Sequence, residues 1–367
     1  MTKTEHIPTL DGIRAIAILV VMASHAFHDN PMLADLGHMG VMLFFALSGY
    51  LITTRLLAEH AKNGEISLRR FYLRRAFRIL PPALTYITVV AAMTTAGIMV
   101  CGWPSLRAAL LFYINYVDPG VDGWRVTHFW SLSVEEHFYA LWPLALIGFG
   151  VARGWRTALV FIVGIIAWRA TDHYFHILEA VFHNANLHWN VSGTDAIADA
   201  LLWGCVLSFF KFKLHPNVSV VIALAAAVLL ALITMHVRLP PPHNIEFVTT
   251  LEHLLPAIFL GAIVSFPGSI IGRFLELSPM RFIGHLSYSL YIWQQLFLGG
   301  PGPKLPALLG IMVVFGFAYL SYHFVEQPCI SLGRKIMGKL SQASLAPSGR
   351  KWYSISHPSQ KSLNPLV

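Results

Sequence analysis

The stretch IPTLDGIRAIAILVVMASHAF, residues 7–27, decides the class of this protein. It has the length of a membrane span, since crossing roughly 30 Å of hydrocarbon takes about 20 helical residues. One lysine precedes it, and Ser24-His25-Ala26-Phe27-His28-Asp29 closes it without a small-residue cleavage pattern, so it reads as a retained helix and not as a signal peptide. Yet this helix carries Asp11, Arg14 and His25. An arginine in hydrocarbon costs at least ~2.5 kcal/mol unless it is paired or hydrated, so Arg14 argues for a polar interior, with Asp11 as its nearest partner. A structural ion pair at the helix end is the competing reading for Arg14. Arg14 and His25 are eleven residues apart, which is about 16 Å along the axis and close to a whole number of turns, so both project from nearly one face.

The same hydropathy recurs along the chain. Of its 367 residues 56% are hydrophobic and 12% charged, where a soluble domain has roughly 25% charged; the mean hydropathy is +0.60. Spans are predicted near residues 8–28, 36–57, 79–101, 128–150, 155–171, 194–210, 217–236, 249–266, 281–299 and 305–325. The apolar piece Leu106 to Tyr116 is too short to cross and reads as re-entrant or interfacial. The expected fold is therefore all-α: a polytopic membrane bundle of about ten transmembrane helices and one such segment. Residues 1–330 form the membrane domain, and 331–367 a basic, polar stretch expected to be a flexible cytoplasmic tail, most clearly from Gln342 onward. Cys101, Cys205 and Cys329 have no spacing suited to a metal or a disulfide framework.

The formal net charge is +8, but the basic residues cluster in short loops beside apolar spans, which points to lipid orientation and away from nucleic acid. With both termini in the cytoplasm, the inner loops collect 20 of the 26 Lys and Arg, seven of them between Arg55 and Arg78. The outer loops hold Arg107, Arg125, Arg169, Arg238 and Lys304, leaving Arg14 as the one basic residue well inside a helix. This asymmetry predicts a multi-pass protein of a bacterial plasma (inner) membrane with both ends inside.

The fourth predicted span brings Glu135 and Glu136 into an apolar helix, about 10 to 12 Å from its start at His128. A histidine and a carboxylate at comparable depth suit a base and its orienter for activating a hydroxyl, so His25 is expected to meet Glu135 or Glu136. Only one of two adjacent carboxylates, about 100° apart, can face a cavity squarely. Arg75 and Arg78, three residues apart, share a face suited to phosphate groups. A lipid-headgroup face is the plainer reading of that basic run. His173, His176, His183 and His188 fit an interfacial helix better than a metal site, and no metal is expected.

Taken together, from Ile7 to about Pro328, these segments resemble the acyltransferase 3 family. Arg14 through His25 matches its Arg-x10-His element, Phe44-Phe45-Ala46-Leu47-Ser48-Gly49-Tyr50 its second-helix signature, and Arg75-Ala76-Phe77-Arg78 its Arg-x-x-Arg pair. Trp130-Ser131-Leu132-Ser133-Val134-Glu135-Glu136, Ser287-Tyr288-Ser289-Leu290-Tyr291-Ile292-Trp293 and Phe324-Val325-Glu326-Gln327-Pro328 follow in order. Members often place histidine after the tryptophan of the late Ser-Tyr motif, where Gln294 stands here. Some also carry a C-terminal hydrolase-like domain, so this sequence is expected to be a standalone form. The resemblance implies transfer of an acyl group, commonly acetyl, from cytoplasmic acyl-CoA to a hydroxyl of a glycan, lipid-linked sugar or glycosylated metabolite. On that basis His25, Glu135, Glu136 and Arg14 are the expected catalytic residues, and Arg75, Arg78, Arg14 and Ser48 the expected cofactor-binding ones. A proton-coupled transporter of a small solute is the alternative, because embedded Arg, His and Glu also serve proton relays.

Overall fold

The computed structural model describes residues 7–175, 192–236, 245–300 and 305–345. His176, His183 and His188, Arg238, Lys304 and the tail from residue 346 lie outside the described residues. Within them all regular secondary structure is helical, with no strand.

The first helix, α1 (Pro8–Ala26), starts on a proline, which is pre-set for the first turn and has no N–H to orphan. Its buried residues, among them Leu10, Ile13, Ala17, Ile18 and Val21, occur on every side, so α1 is a central element and not a peripheral one. Next come α2 (Pro31–Asn63) and α3 (Leu68–Thr95), separated by a short turn in which Gly64 takes a φ of +76°. Ser67 caps α3 by accepting from the Arg70 N–H. The expected inner loop from Arg55 to Arg78 is therefore almost wholly helical. Apolar runs report where hydrocarbon begins, and these two helices continue past it with their basic residues aboard.

The segment after α3 forms a short helix, α4 (Trp103–Leu110), and a 3-10 turn at Ile114–Tyr116, neither long enough to cross. The one-turn α5 (Trp124–Thr127) leads into α6 (Phe129–Gly148), followed by α7 (Gly154–Phe175), α8 (Thr194–Ile197) and α9 (Asp199–Ser208). The chain continues through α10 (Pro216–His236), α11 (Ile245–Ser265), α12 (Ile270–Leu275) and α13 (Ser278–Phe297). Finally α14 (Ala307–Ser321) passes through a π turn at Tyr322–Glu326 into α15 (Gln327–Leu345). Residues 331–345 are thus helical, and α15 packs on α3 where Gly333 meets the Phe77 ring.

Seven stretches among the described residues are long and apolar enough to span a membrane, and the fold is a polytopic helical bundle. The count of ten is not confirmed among the described residues. Residues 194–210, expected to span, are broken at Ala198 into the four-residue α8 and the ten-residue α9, the latter about 15 Å long. α6 and α13 are each 20 residues, long enough to cross, but do not count among the seven. These are the helices that carry Glu135, Glu136 and His137, and Arg281, His285 and Gln294.

Arg169 is the second correction. It sits inside α7, 9% exposed, and donates from Nη1 to Ala196 O (2.8 Å) and Asp199 Oδ1 (2.9 Å) and from Nη2 to Thr250 Oγ1 (2.9 Å). His253 Nδ1 lies 2.7 Å from the same Asp199 oxygen. Arg14 is therefore not the only arginine inside a helix, and the burial of Arg169 is tolerated because a carboxylate, a carbonyl and a hydroxyl satisfy it.

α1 packs between α2 and α13. Gly284 on α13 makes one of these contacts possible, because a Cβ there would strike the Asp11 carbonyl. These three helices, with α3 and α6, enclose the candidate site.

Candidate active site

One face of each surrounding helix converges on a cavity of about 110 Å³. α2 contributes Val41, Phe44, Ser48, Leu51 and Arg55 at three- and four-residue intervals, the spacing of a single helical face. α3 contributes Arg75, Arg78 and Ile79, α6 Ser131, Glu135 and Tyr139, α13 Ser287, Tyr288 and Tyr291, and α1 Arg14. Four guanidinium groups thus face a space that holds one carboxyl group, that of Glu135.

Arg14 and Arg75 are aimed by their neighbours. Arg14 Nη1 donates to Asp11 Oδ1 at 3.2 Å, confirming the local pair, while Asp11 Oδ2 is 3.2 Å from His285 Nε2. Arg75 lies over the Tyr139 ring at 4.6 Å, and the Tyr139 hydroxyl is 2.5 Å from Ser48 Oγ. Arg70 and Arg74 turn away, pairing with Glu59 at 3.4 and 2.9 Å. The basic run is therefore split by helix rotation: Arg70 and Arg74 serve a structural pair with Glu59, and Arg75 and Arg78 serve the cavity. Arg14, Arg75, Arg78 and Ser48 are brought together as the sequence leads one to expect, and Arg55 joins them.

A second cavity of about 240 Å³ abuts the first. It is lined by His25, His38, His128, Trp124, Trp130 and Gln295, among others. Val41 and Tyr291 line both cavities and so form the wall between them. Tyr291 is held there by its hydroxyl, which donates to His128 O at 2.7 Å and lies 2.5 Å from Ser131 Oγ.

His25 and Glu135 do not meet. Glu135 belongs to the basic cavity and His25 to its neighbour. The partners of His25 are amides of α13: Nδ1 is 3.0 Å from Gln294 Oε1, and Nε2 is 3.3 Å from Gln295 Nε2. Its ring also stands edge-on to Trp124, at 5.8 Å between centroids. Glu136 lines neither cavity, and its Oε1 is buried without a hydrogen-bond partner. The expected pairing rested on depth along two helices, which leaves the rotation of each about its axis undetermined.

Gln294, Gln295, Arg55, Tyr139 and Tyr291 were not assigned roles from the sequence. The signal that could have found the first two is a pair of adjacent amides near the end of an apolar helix. Buried amides are costly unless hydrogen-bonded, and these are 0% and 3% exposed. Among the described residues no group of His, Cys, Asp or Glu side chains is arranged to hold a metal ion.

The chain is 28% identical to O-acetyltransferase OatA of Staphylococcus aureus strain NCTC 8325 / PS 47, over 91% of its own length and 59% of the relative's. The OatA proteins of S. aureus strains COL and MRSA252 match equally. The chain therefore spans about 59% of the length of these relatives. No solved structure matches it. The acyltransferase 3 model, described as an acyltransferase domain, matches residues 7–330, covering α1 to the start of α15, and the chain belongs to that family.

Proposed function

We propose that this protein transfers an acyl group, acetyl in the first instance, from acyl-CoA to a hydroxyl of a glycan, lipid-linked sugar or glycosylated metabolite. The observation that carries this reading is the pair of abutting cavities. One presents Arg14, Arg55, Arg75 and Arg78, the other presents His25, and only Val41 and Tyr291 line both.

The residues of the basic cavity fit a polyanionic donor. Guanidinium groups pair bidentately with phosphate, and with Arg14 paired to Asp11 and Glu135 the one carboxyl group in the lining, the hollow keeps an excess of positive charge. Arg75 and Arg78 hold the phosphates, and Arg14, higher on α1, guides the narrow thioester arm towards His25. His25 takes the proton of the acceptor hydroxyl as its oxygen attacks the thioester carbonyl. The C–O bond forms, the C–S bond breaks, and the proton passes from the imidazolium to the departing thiolate. General-base assistance of this kind contributes roughly 10²-fold to 10⁴-fold. On this reading the basic cavity opens to the cytoplasm of a bacterial cell and the His25 cavity to the opposite side, with both chain termini inside.

The test uses full-length protein purified in detergent, with labelled acetyl-CoA and a mixture of envelope glycans as acceptors. His25→Ala is expected to lose transfer by at least 10²-fold while still binding acetyl-CoA. Arg75→Ala combined with Arg78→Ala is expected to weaken acetyl-CoA binding at least tenfold. Normal product formation by His25→Ala, or unchanged donor affinity in the double arginine variant, overturns the scheme.

A further inference from the structure

The hydrogen bonds around His25 have a direction, because one bond in the chain has a donor that cannot be reversed. The backbone N–H of His128 points at Gln295 Oε1, 3.0 Å away. A backbone N–H only donates, so that branch of the Gln295 amide is its oxygen and the other branch is its NH₂ group. The NH₂ group lies 3.3 Å from His25 Nε2. An amide NH₂ also only donates, so Nε2 presents its lone pair. A neutral imidazole with a bare Nε2 carries its proton on Nδ1, and Nδ1 is 3.0 Å from Gln294 Oε1. The polarity therefore runs in one sense, from the main chain of His128 through Gln295 and His25 to Gln294.

We infer that Gln294 and Gln295 are positioning residues that lock His25 in its Nδ1–H tautomer, with the Nε2 lone pair on the cavity side and the Gln295 amide standing where the acceptor hydroxyl will donate. The two sides of the ring support this division. Gln295 lines the His25 cavity, whereas Gln294 is fully buried and lies outside the lining. The inference rests on the reading of His25 as the base and deepens it: the orienter is an uncharged amide from α13 and not the carboxylate of α6. The acceptor hydroxyl must displace the long contact to Gln295 to reach Nε2, which makes that contact a placeholder.

The titratable or charged side chains around His25 are His28, joined through its Nδ1 to His25 O (3.3 Å) and itself beside Asp29, then His38 of α2, His128 before α6, Tyr291 of α13, and Arg125, which binds the Gln295 carbonyl (3.0 Å). No carboxylate lines this cavity among the described residues. A carboxylate introduced by Gln294→Glu therefore stabilises the imidazolium and keeps His25 protonated to higher pH. Since the base works only when neutral, the acid limb of the kcat profile is expected to move upward by at least half a pH unit. Gln294→Leu, similar in volume, is expected to lower kcat at least tenfold with KM for acetyl-CoA unchanged.

A readout independent of turnover separates this inference from the functional one. In full-length protein labelled with ¹⁵N-histidine, the ring nitrogens of His25, identified by their loss in His25→Ala, are expected to show a protonated Nδ1 and a bare Nε2. In folded Gln295→Leu both tautomers are expected. An Nε2–H tautomer in the wild-type protein, or an acid limb that stays in place in Gln294→Glu, overturns the inference. Absence of acyl transfer with the expected tautomer overturns the functional reading alone.

Discussion

Glu135 and Glu136 are adjacent in sequence but differ by about 100° around α6, and only the first lines the basic cavity. Glu135→Gln is therefore expected to lower turnover at least tenfold, and Glu136→Gln to leave it within about threefold, when acetyl transfer is measured in membranes holding equal amounts of each variant. Arg55 gives the second test at this scale. A hydrogen bond to a charged group contributes roughly 1.5 kcal/mol or more, about a tenfold change in binding. Arg55→Ala is expected to raise the dissociation constant for acetyl-CoA by about that factor, as read by calorimetry. The sequence shows which residues share a face of one helix, so Arg75 with Arg78, and Arg14 with His25, could be grouped from spacing alone. It does not show which faces of different helices meet. For that reason Arg55 stayed hidden among seven basic residues, and His25 was matched with a carboxylate when its partner is Gln294.

At the scale of helices, the contact between α2 and α9 constrains the site. Gly49 of α2 lies against the Leu201 carbonyl, and Gly204 of α9 against the Ala46 carbonyl, so each helix uses a missing side chain to admit the backbone of the other. Ser48, which lines the basic cavity, is next to Gly49. A valine at position 204 must push the helices apart, and overpacking of this kind costs about 1–3 kcal/mol. Gly204→Val is expected to lower the melting temperature of the detergent-solubilised protein and to reduce acetyl transfer along with it. Helix type and order were legible from hydropathy, because apolar runs of this length admit few other structures. Helix ends were not: α2 and α3 carry their basic residues well past the apolar runs, and α9 stops after ten residues.

At the scale of the whole molecule, two of the polar centres inside the apolar bundle, among the described residues, differ in purpose. The cluster of Arg169, Asp199 and His253 ties α7, α9 and α11 together and lines neither cavity. Removing one partner of a buried ion pair costs roughly 3–5 kcal/mol, because the other charge is left uncompensated. Asp199→Ala is expected to shift thermal unfolding sharply downward while the fraction that remains folded keeps its affinity for acetyl-CoA. The other centre is split by the Tyr291 wall. On the functional reading, the thioester passes that wall only where it meets His25, and until then the wall keeps it from water arriving with the acceptor, much as a canal lock keeps two levels from running together. Shaving it by Tyr291→Ala should let the levels mix, so that acetate leaks from acetyl-CoA even when no sugar is present.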